Sequence, residues 1–215
     1  MWTNRNGVIV KDPVARLTPL GLVVLALLGE GDMHPYEMIR LMRMRRDDRL
    51  VTITHGTVYH TVARLERLGF VAEVGVDRDG NRPERTTYTQ TDAGAAAVRE
   101  WIRRELPLVD RPAEYRVALA EAHGLDRDEA VALLSERRMV LAETLDETVA
   151  GRGRALAKSV PEQYLLELDR EAALLRADLQ WLDATLDRIR LPEYPWGRDA
   201  PPTDRYLEQR KAARQ

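Results

Sequence analysis

Apolar positions along the chain change their period from segment to segment, and each period predicts a different element. From Thr18 to Asp32 the sequence TPLGLVVLALLGEGD is apolar almost throughout, with Thr18 as an N-cap, Pro19 at the first helical position, and Gly29 and Gly31 as stops. That pattern predicts a helix buried on all sides. A second helix opens at His34 and Pro35, carries Tyr36, Met38, Ile39, Leu41 and Met42, and runs into an exposed basic end, RMRRDDR. Between Ile53 and Phe70, Val58, Val62, Leu65 and Leu68 fall on one side of a helical wheel, and Gly69 marks the stop. The opposite side holds Gly56, His60, Ala63 and Arg67, flanked by Tyr59 and Arg64.

A period of two then takes over. Phe70, Ala72, Val74 and Val76 predict a strand with those side chains on one face, DRDGNRPER supplies turn residues, and TTYTQ returns as the second strand of a hairpin with a long loop. Thr91 caps a fourth helix that carries Val98, Trp101, Ile102 and Leu106 and ends at Pro107. Three helices, a hairpin and another helix, in this order, predict a winged helix-turn-helix whose third helix enters a major groove.

The second half is helical throughout. A short helix is expected near Tyr115 to Ala122 and a long one from Asp126 to Val149, with GRGRALA from Gly151 as a break. After Pro161, Leu165, Leu168, Ala172, Leu175, Leu179, Leu182, Leu186 and Ile189 alternate three and four apart, the spacing of a coiled-coil-like seam. Such a seam needs a partner, and both the preceding long helix and a second subunit are expected to supply it, because two-fold symmetry suits a DNA reader. Leu165, Leu168, Leu175, Leu179, Leu182, Leu186 and Ile189 are therefore the expected dimerisation residues. The fold class is mainly α: an N-terminal arm (1–17), a winged helix-turn-helix (18–110), an antiparallel, coiled-coil-like helical dimerisation domain (111–190), and a proline- and charge-rich tail (191–215) expected to be partly disordered.

Composition narrows the function classes. The absence of cysteine removes disulfides and thiolate metal sites and favours a reducing cytoplasm. The longest apolar run is half a membrane span, and the first residues lack signal-peptide order, so no membrane association is expected. The net charge of −2 argues against a nucleic-acid binder until its distribution is considered. Ten arginines stand against seven acidic residues between Met38 and Gln90, which leaves that segment at about +3 and the remainder at about −5.

The basic segment carries the candidate chemistry. His60, Arg64 and Arg67 can reach base edges or phosphates, and Thr57 and Tyr59 can donate from their hydroxyls. The helix start around Thr54, His55 and Gly56 can receive a phosphate. Arg78, Arg82 and Arg85 in the hairpin loop can enter a minor groove or hold the backbone. The plainer alternative is a solvated helix face with wing arginines paired to Asp77, Asp79 and Glu84. A winged helix that binds only protein is the alternative function, and the negative net charge suits it. An enzyme is disfavoured: His55 and His60 lean to different faces, no His-Glu-x-x-His motif exists, GRGRALA follows no strand, and no serine occupies a nucleophile elbow. Neither a metal nor any other cofactor is expected.

The stretches LTPLGLVVLALLGEGDMHPYEM, GTVYHTVARLERLGFV and NRPERTTYTQTDAGAAAVREW together resemble the N-terminal domain of PadR-family bacterial transcription regulators. EYRVALAEAHGLDRDEAVALLSERR and YLLELDREAALLRADLQWLDATL resemble the helical C-terminal domain of the longer members. The resemblance implies a homodimeric repressor on a palindromic operator, relieved by a small aromatic or hydrophobic effector. It also supports Gly56, Thr57 and Tyr59 as the start of the recognition helix. Pro35 stands where the family has glycine, and Gln90 where it has an apolar strand residue. In some shorter relatives a tryptophan on the fourth helix lines an effector site, which makes Trp101 a ligand candidate by analogy. Packing beside Val98 and Ile102 is the simpler role.

Overall fold

The computed structural model describes residues 14–77, 85–197 and 204–214. The chain is mainly helical and forms two compact units, each discontinuous in sequence. The first comprises residues 1–105, 113–121 and 201–215, and the second residues 106–112 and 122–200.

In the first unit, α1 (Pro19–Leu28) is the hub. Thr18 accepts from the Gly21 N–H at 3.2 Å, Pro19 occupies the first turn, and Gly21 to Leu28 are all buried, as a helix apolar on every side requires. Helix α2 (Pro35–Arg45) starts at His34, whose Nδ1 accepts from the Tyr36 N–H at 3.0 Å, so Pro35 sits comfortably at the first helical position. Helix α3 (His55–Arg67) ends in a Schellman turn: the Gly69 N–H donates to Glu66 O and the Phe70 N–H to Leu65 O, with Gly69 at φ +74°. Helix α4 (Asp92–Glu105) is seated on that turn. Thr91 Oγ1 donates to Gly69 O at 2.7 Å and accepts from the Gly94 N–H at 3.1 Å, so Thr91 caps α4 and also ties it to the end of α3.

The hairpin consists of β1 (Val71–Asp77) and β2 (Arg85–Gln90), antiparallel. Its side-chain order differs from the alternation of Phe70, Ala72, Val74 and Val76. Phe70 belongs to the preceding turn, Phe70 and Val71 are both buried, and a bulge between Glu73 and Gly75 leaves Val74 unpaired and 52% exposed. Tyr88 also pairs with Met33 through two backbone hydrogen bonds of 3.0 Å, which fastens the hairpin to the segment leading into α2. Gln90, polar at the base of the wing, donates from Nε2 to Leu25 O at 2.9 Å, so the polar side chain is satisfied on α1.

Helices α5 (Pro112–Ala120) and α8 (Asp204–Arg214) complete this unit. The tail, expected to be partly disordered, is helical over α8 and packs on α2. Tyr206 donates its hydroxyl hydrogen to Glu30 at 2.9 Å, and Arg45 holds the same carboxylate with two bonds of 2.7 and 2.9 Å. Arg214 pairs with buried Glu37 at 3.2 Å.

The second unit is built on α6 (Arg127–Ala157) and α7 (Leu166–Arg190) packed against one another. Asp126 occupies the N-cap position of α6 without a side-chain cap bond. The expected break at Gly151 does not occur. Helix α6 runs through Gly151 and Gly153 and turns only at Ser159, which has φ +59°. Each glycine costs a helix about 1 kcal/mol, and packing against α7, with an ion pair to Asp169 from Arg152 between the two glycines, overrides that preference. At the other end, Arg127 donates to Ile189 O at 2.8 Å, a carbonyl that the last turn of α7 leaves open, and to Tyr194 O at 2.7 Å in the segment that follows.

Candidate nucleic-acid interface

The inner side of α3 is fully used by packing. Val58, Thr61, Val62 and Leu65 are buried, and Leu68, half-buried, continues the same stripe. On the other side His55, Gly56, Thr57, Tyr59, His60, Ala63 and Arg67 are exposed. The wheel derived from sequence therefore matches the observed helix. Thr61, a buried hydroxyl-bearing residue, is one that hydrophobic periodicity does not flag.

The helix start is held by a reciprocal cap. Thr54 Oγ1 accepts from the Thr57 N–H at 3.1 Å, and the Thr54 N–H donates to Thr57 Oγ1 at 3.0 Å. Thr57 Oγ1 also donates to Thr54 O at 3.0 Å, so its hydroxyl is engaged in the cap rather than offered outward. Thr57 shapes the surface from within, whereas the Tyr59 and His60 side chains project from it. A Cβ built on Gly56 meets nothing within 4 Å, so this stretch of backbone stands open to a second surface.

Neighbouring α2 contributes side chains that the sequence reading did not include. The His34 and Tyr59 rings meet edge to face at 6.3 Å between centroids, and Tyr36 and His55 lie 6.0 Å apart. The Arg40 guanidinium sits 5.9 Å from the centre of the Tyr36 ring. Their ring contacts connect residues some twenty positions apart, which no local periodicity reveals.

The arginines divide. Arg67 projects from the exposed side and donates from Nε to Ala63 O at 3.3 Å. Arg64 is half-buried and turns toward α1, donating from Nη2 to Thr18 Oγ1 at 2.8 Å. In the wing, Arg85 opens β2 opposite Asp77, while Arg78 and Arg82 lie outside the described residues. Trp101, the ligand candidate on α4, is 1% exposed, so a ligand would reach it only by opening the packing around it.

In the second unit, Leu165, Leu175, Leu182, Leu186 and Ile189 are buried and Leu168 and Leu179 half-buried, all within one chain. The seam is thus covered by α6. Large apolar side chains left exposed on these helices are Leu166, Leu174 and Trp181 on α7 and Met139, Val140 and Val149 on α6. Among the described residues, no helix is long and apolar enough to cross a membrane.

Residues 24–100 match the sequence profile of the transcriptional regulator PadR-like family. No curated protein matches the chain. Among solved structures, PadR of Bacillus subtilis in complex with operator DNA is 21% identical, with 80% of this chain and 99% of that chain covered and a TM-score of 0.39. The same protein in complex with p-coumaric acid is 20% identical over 85% of this chain and 99% of that one, with a TM-score of 0.35. A transcriptional regulator from Clostridium thermocellum is 30% identical, covering 37% of this chain and 75% of that one, with a TM-score of 0.33. The segment that forms α1 to α4 and the wing is thus the part of the chain that is similar to the PadR-like family of transcriptional regulators.

Proposed function

We propose that this regulator binds double-stranded DNA through α3, as a homodimer on a palindromic operator, and represses transcription until a small aromatic or hydrophobic effector releases it. One observation carries the DNA reading: His55, Gly56, Tyr59, His60, Ala63 and Arg67 are exposed together on a helix whose other side is locked into the core. Gly56 and Ala63 allow close approach, Tyr59 and His60 supply hydrogen bonds to base edges, and Arg67 supplies charge. The wing arginines Arg78, Arg82 and Arg85 extend the same reading to the adjacent backbone or minor groove.

The homodimer reading rests on the outer side of the second unit. Leu174 and Trp181, seven residues apart, share one stripe of α7, and a second copy of the chain would cover it. The seam residues then stabilise each protomer and support the contact indirectly. Repression and its relief are proposed by likeness to the family that residues 24–100 resemble, with Trp101 as the effector-contact candidate. This reading needs no cofactor and no membrane, and it places the protein in the cytoplasm.

The test is a titration against duplex DNA from upstream of the chain's own gene and against a scrambled duplex, over a range of salt concentrations. Tighter binding to the upstream duplex with a steep log–log salt slope is expected. His60→Ala should weaken binding to the upstream duplex by about 1–3 kcal/mol while sparing the scrambled one. Weak and equal binding of both duplexes would instead favour a winged helix whose partner is a protein.

A further inference from the structure

One stripe of α8 is cationic where it meets the rest of the first unit. Tyr206, Arg210 and Arg214 recur every four residues and lie one above another, with Leu207 and Lys211 on their flank. Tyr206 reaches Glu30, Arg214 reaches Glu37, and Arg210 lies against the turn after α1, where a Cβ on Gly31 would stand 3.1 Å from Nη2. Glu30 and these five α8 residues line a groove of about 560 Å³, open to solvent and within the size range of small-molecule sites.

Its cations outnumber its available anions. Both Glu30 oxygens are taken, Oε1 by Arg45 at 2.7 Å and Oε2 by Arg45 at 2.9 Å and by Tyr206 at 2.9 Å. Glu37 is held by Arg214 Nε. Arg210 Nη1 is buried without a hydrogen-bond partner, and among the described residues neither Arg210 nor Lys211 makes a hydrogen bond or an ion pair. A guanidinium nitrogen taken out of water without an acceptor is costly, and like charges four residues apart on a helix, as at Arg210 and Arg214, repel one another. A bound anion relieves both.

The charge to be matched selects the anion. Arg210 and Lys211 present two positive charges without a counter-charge. A phosphate monoester carries about −1.5 to −2 near neutral pH and offers three strong acceptor oxygens. A carboxylate or a phosphodiester carries one negative charge and leaves a cation unmatched. The planar guanidinium suits phosphate by pairing with two oxygens at once. Leu207, 51% exposed, gives the groove an apolar wall for the remainder of an organic ligand.

We infer that this groove binds a dianionic phosphate group, that of an organic phosphate monoester or free phosphate, held by Arg210 and Lys211. An Nη of Arg214 is a further donor while its Nε stays on Glu37. Binding ties α8 to the turn after α1 and stabilises the first unit. The site shares no residue with α3 or Trp101 and does not rest on the proposed function.

Isothermal titration calorimetry of the full-length protein, at constant ionic strength, tests it with inorganic phosphate, phenyl phosphate and dimethyl phosphate. One saturable site is expected for the first two near neutral pH, with dimethyl phosphate, a monoanion, at least about tenfold weaker. Affinity for phenyl phosphate should fall as pH drops through about 6, where a monoester takes up a proton. Arg210→Ala and Lys211→Ala should each weaken phenyl phosphate by about tenfold or more, with unchanged circular dichroism spectra. Arg210→Lys, which keeps the charge without the fork, should retain part of the binding. Arg205→Ala, on the same helix but outside the groove, should leave it unchanged.

Absence of saturable binding by both phosphate and phenyl phosphate overturns the site, as does wild-type affinity in Arg210→Ala. Equal affinity for dimethyl phosphate overturns the assignment of a dianion. Tighter binding of phenyl phosphate than of free phosphate makes an organic monoester the occupant, and the reverse order assigns the groove to phosphate itself.

Discussion

The same substitution, glycine to alanine, should have opposite effects at two positions of the winged helix. Gly94 lies in the first turn of α4, directly above the turn that closes α3. A Cβ placed there comes within 2.2 Å of Phe70 O, 3.1 Å of Phe70 C and 3.2 Å of Gln90 Cγ. Contacts under 3.0 Å essentially never occur, and here the obstacle is a backbone carbonyl. The carbonyl cannot simply retreat, because it accepts from the Thr91 N–H at 3.1 Å while Thr91 Oγ1 binds Gly69 O. Relief requires a shift of about 1 Å at this junction, in the upper part of the roughly 1–3 kcal/mol typical of overpacking. Alanine recovers about 1 kcal/mol of helix propensity, so Gly94→Ala should destabilise the protein by about 2 kcal/mol. Gly56, with nothing within 4 Å of its would-be Cβ, should gain roughly 0.5–1 kcal/mol as alanine. Urea unfolding followed by circular dichroism measures both through the transition midpoint. Duplex titration completes the contrast: under the proposed function Gly56→Ala should weaken DNA binding despite the more stable fold, because the methyl stands on the face proposed to approach the groove. A Gly94→Ala variant as stable as the wild type would refute the seating of α4 on the Phe70 carbonyl. Undiminished DNA binding by Gly56→Ala would refute close approach at that face.

Thr57→Val removes Thr57's half of the reciprocal cap of α3 while the Thr57 N–H bond to Thr54 Oγ1 remains, and it should cost about 1 kcal/mol in urea unfolding, with any loss of DNA affinity following the loss of helix order measured by amide exchange. Leu179→Asp places a charge in the half-buried seam between α7 and α6. It should lower the unfolding midpoint of the second unit even at protein concentrations where the chain is monomeric, and a folded variant with an unchanged midpoint would contradict that packing. Burial raises the Tyr206 phenol above its ordinary range, and its bond to the Glu30 carboxylate adds to the shift. Because the folded value lies above the unfolded one, the contribution is complete below the ordinary tyrosine range and is lost as pH rises through the raised value. Protection of the α8 amides, taken relative to their intrinsic base-catalysed exchange, should fall at that alkaline pH in the wild type, and Tyr206→Phe should remove this additional pH dependence.

Features governed by neighbouring residues were legible in the sequence. Thr18, Pro19 and Gly29 mark the ends of α1 by local chemistry, Thr91 does the same for α4, and the wheel separates Val58, Val62 and Leu65 from His60 and Arg67. The three-four alternation from Leu165 to Ile189 identifies the buried stripe of α7, although period alone does not say whether α6 or another chain covers it. What escaped was decided at a distance. The bulge at Val74 depends on hydrogen-bond register across the hairpin, which hydropathy does not encode. Continuity of α6 through Gly151 and Gly153 depends on its packing against α7. Arg64 has the wheel position of a groove reader, but its acceptor, Thr18, is forty-six residues earlier. Helix α8 is held by Glu30 and Glu37, from the opposite end of the chain.

The interrupted composition of the two units limits how this chain can be recombined. Its first unit draws on three separate stretches, so a fragment ending at residue 105 omits α5 and α8 and exposes the surface of α2 that α8 occupies. A chimera that exchanges DNA specificity by transplanting only the amino-terminal half would import Glu30 and Glu37 without Tyr206 and Arg214. Grafts therefore need matched carboxy-terminal segments, and under the proposed function a new DNA preference is engineered more readily by substitution on α3 than by wholesale exchange of the halves.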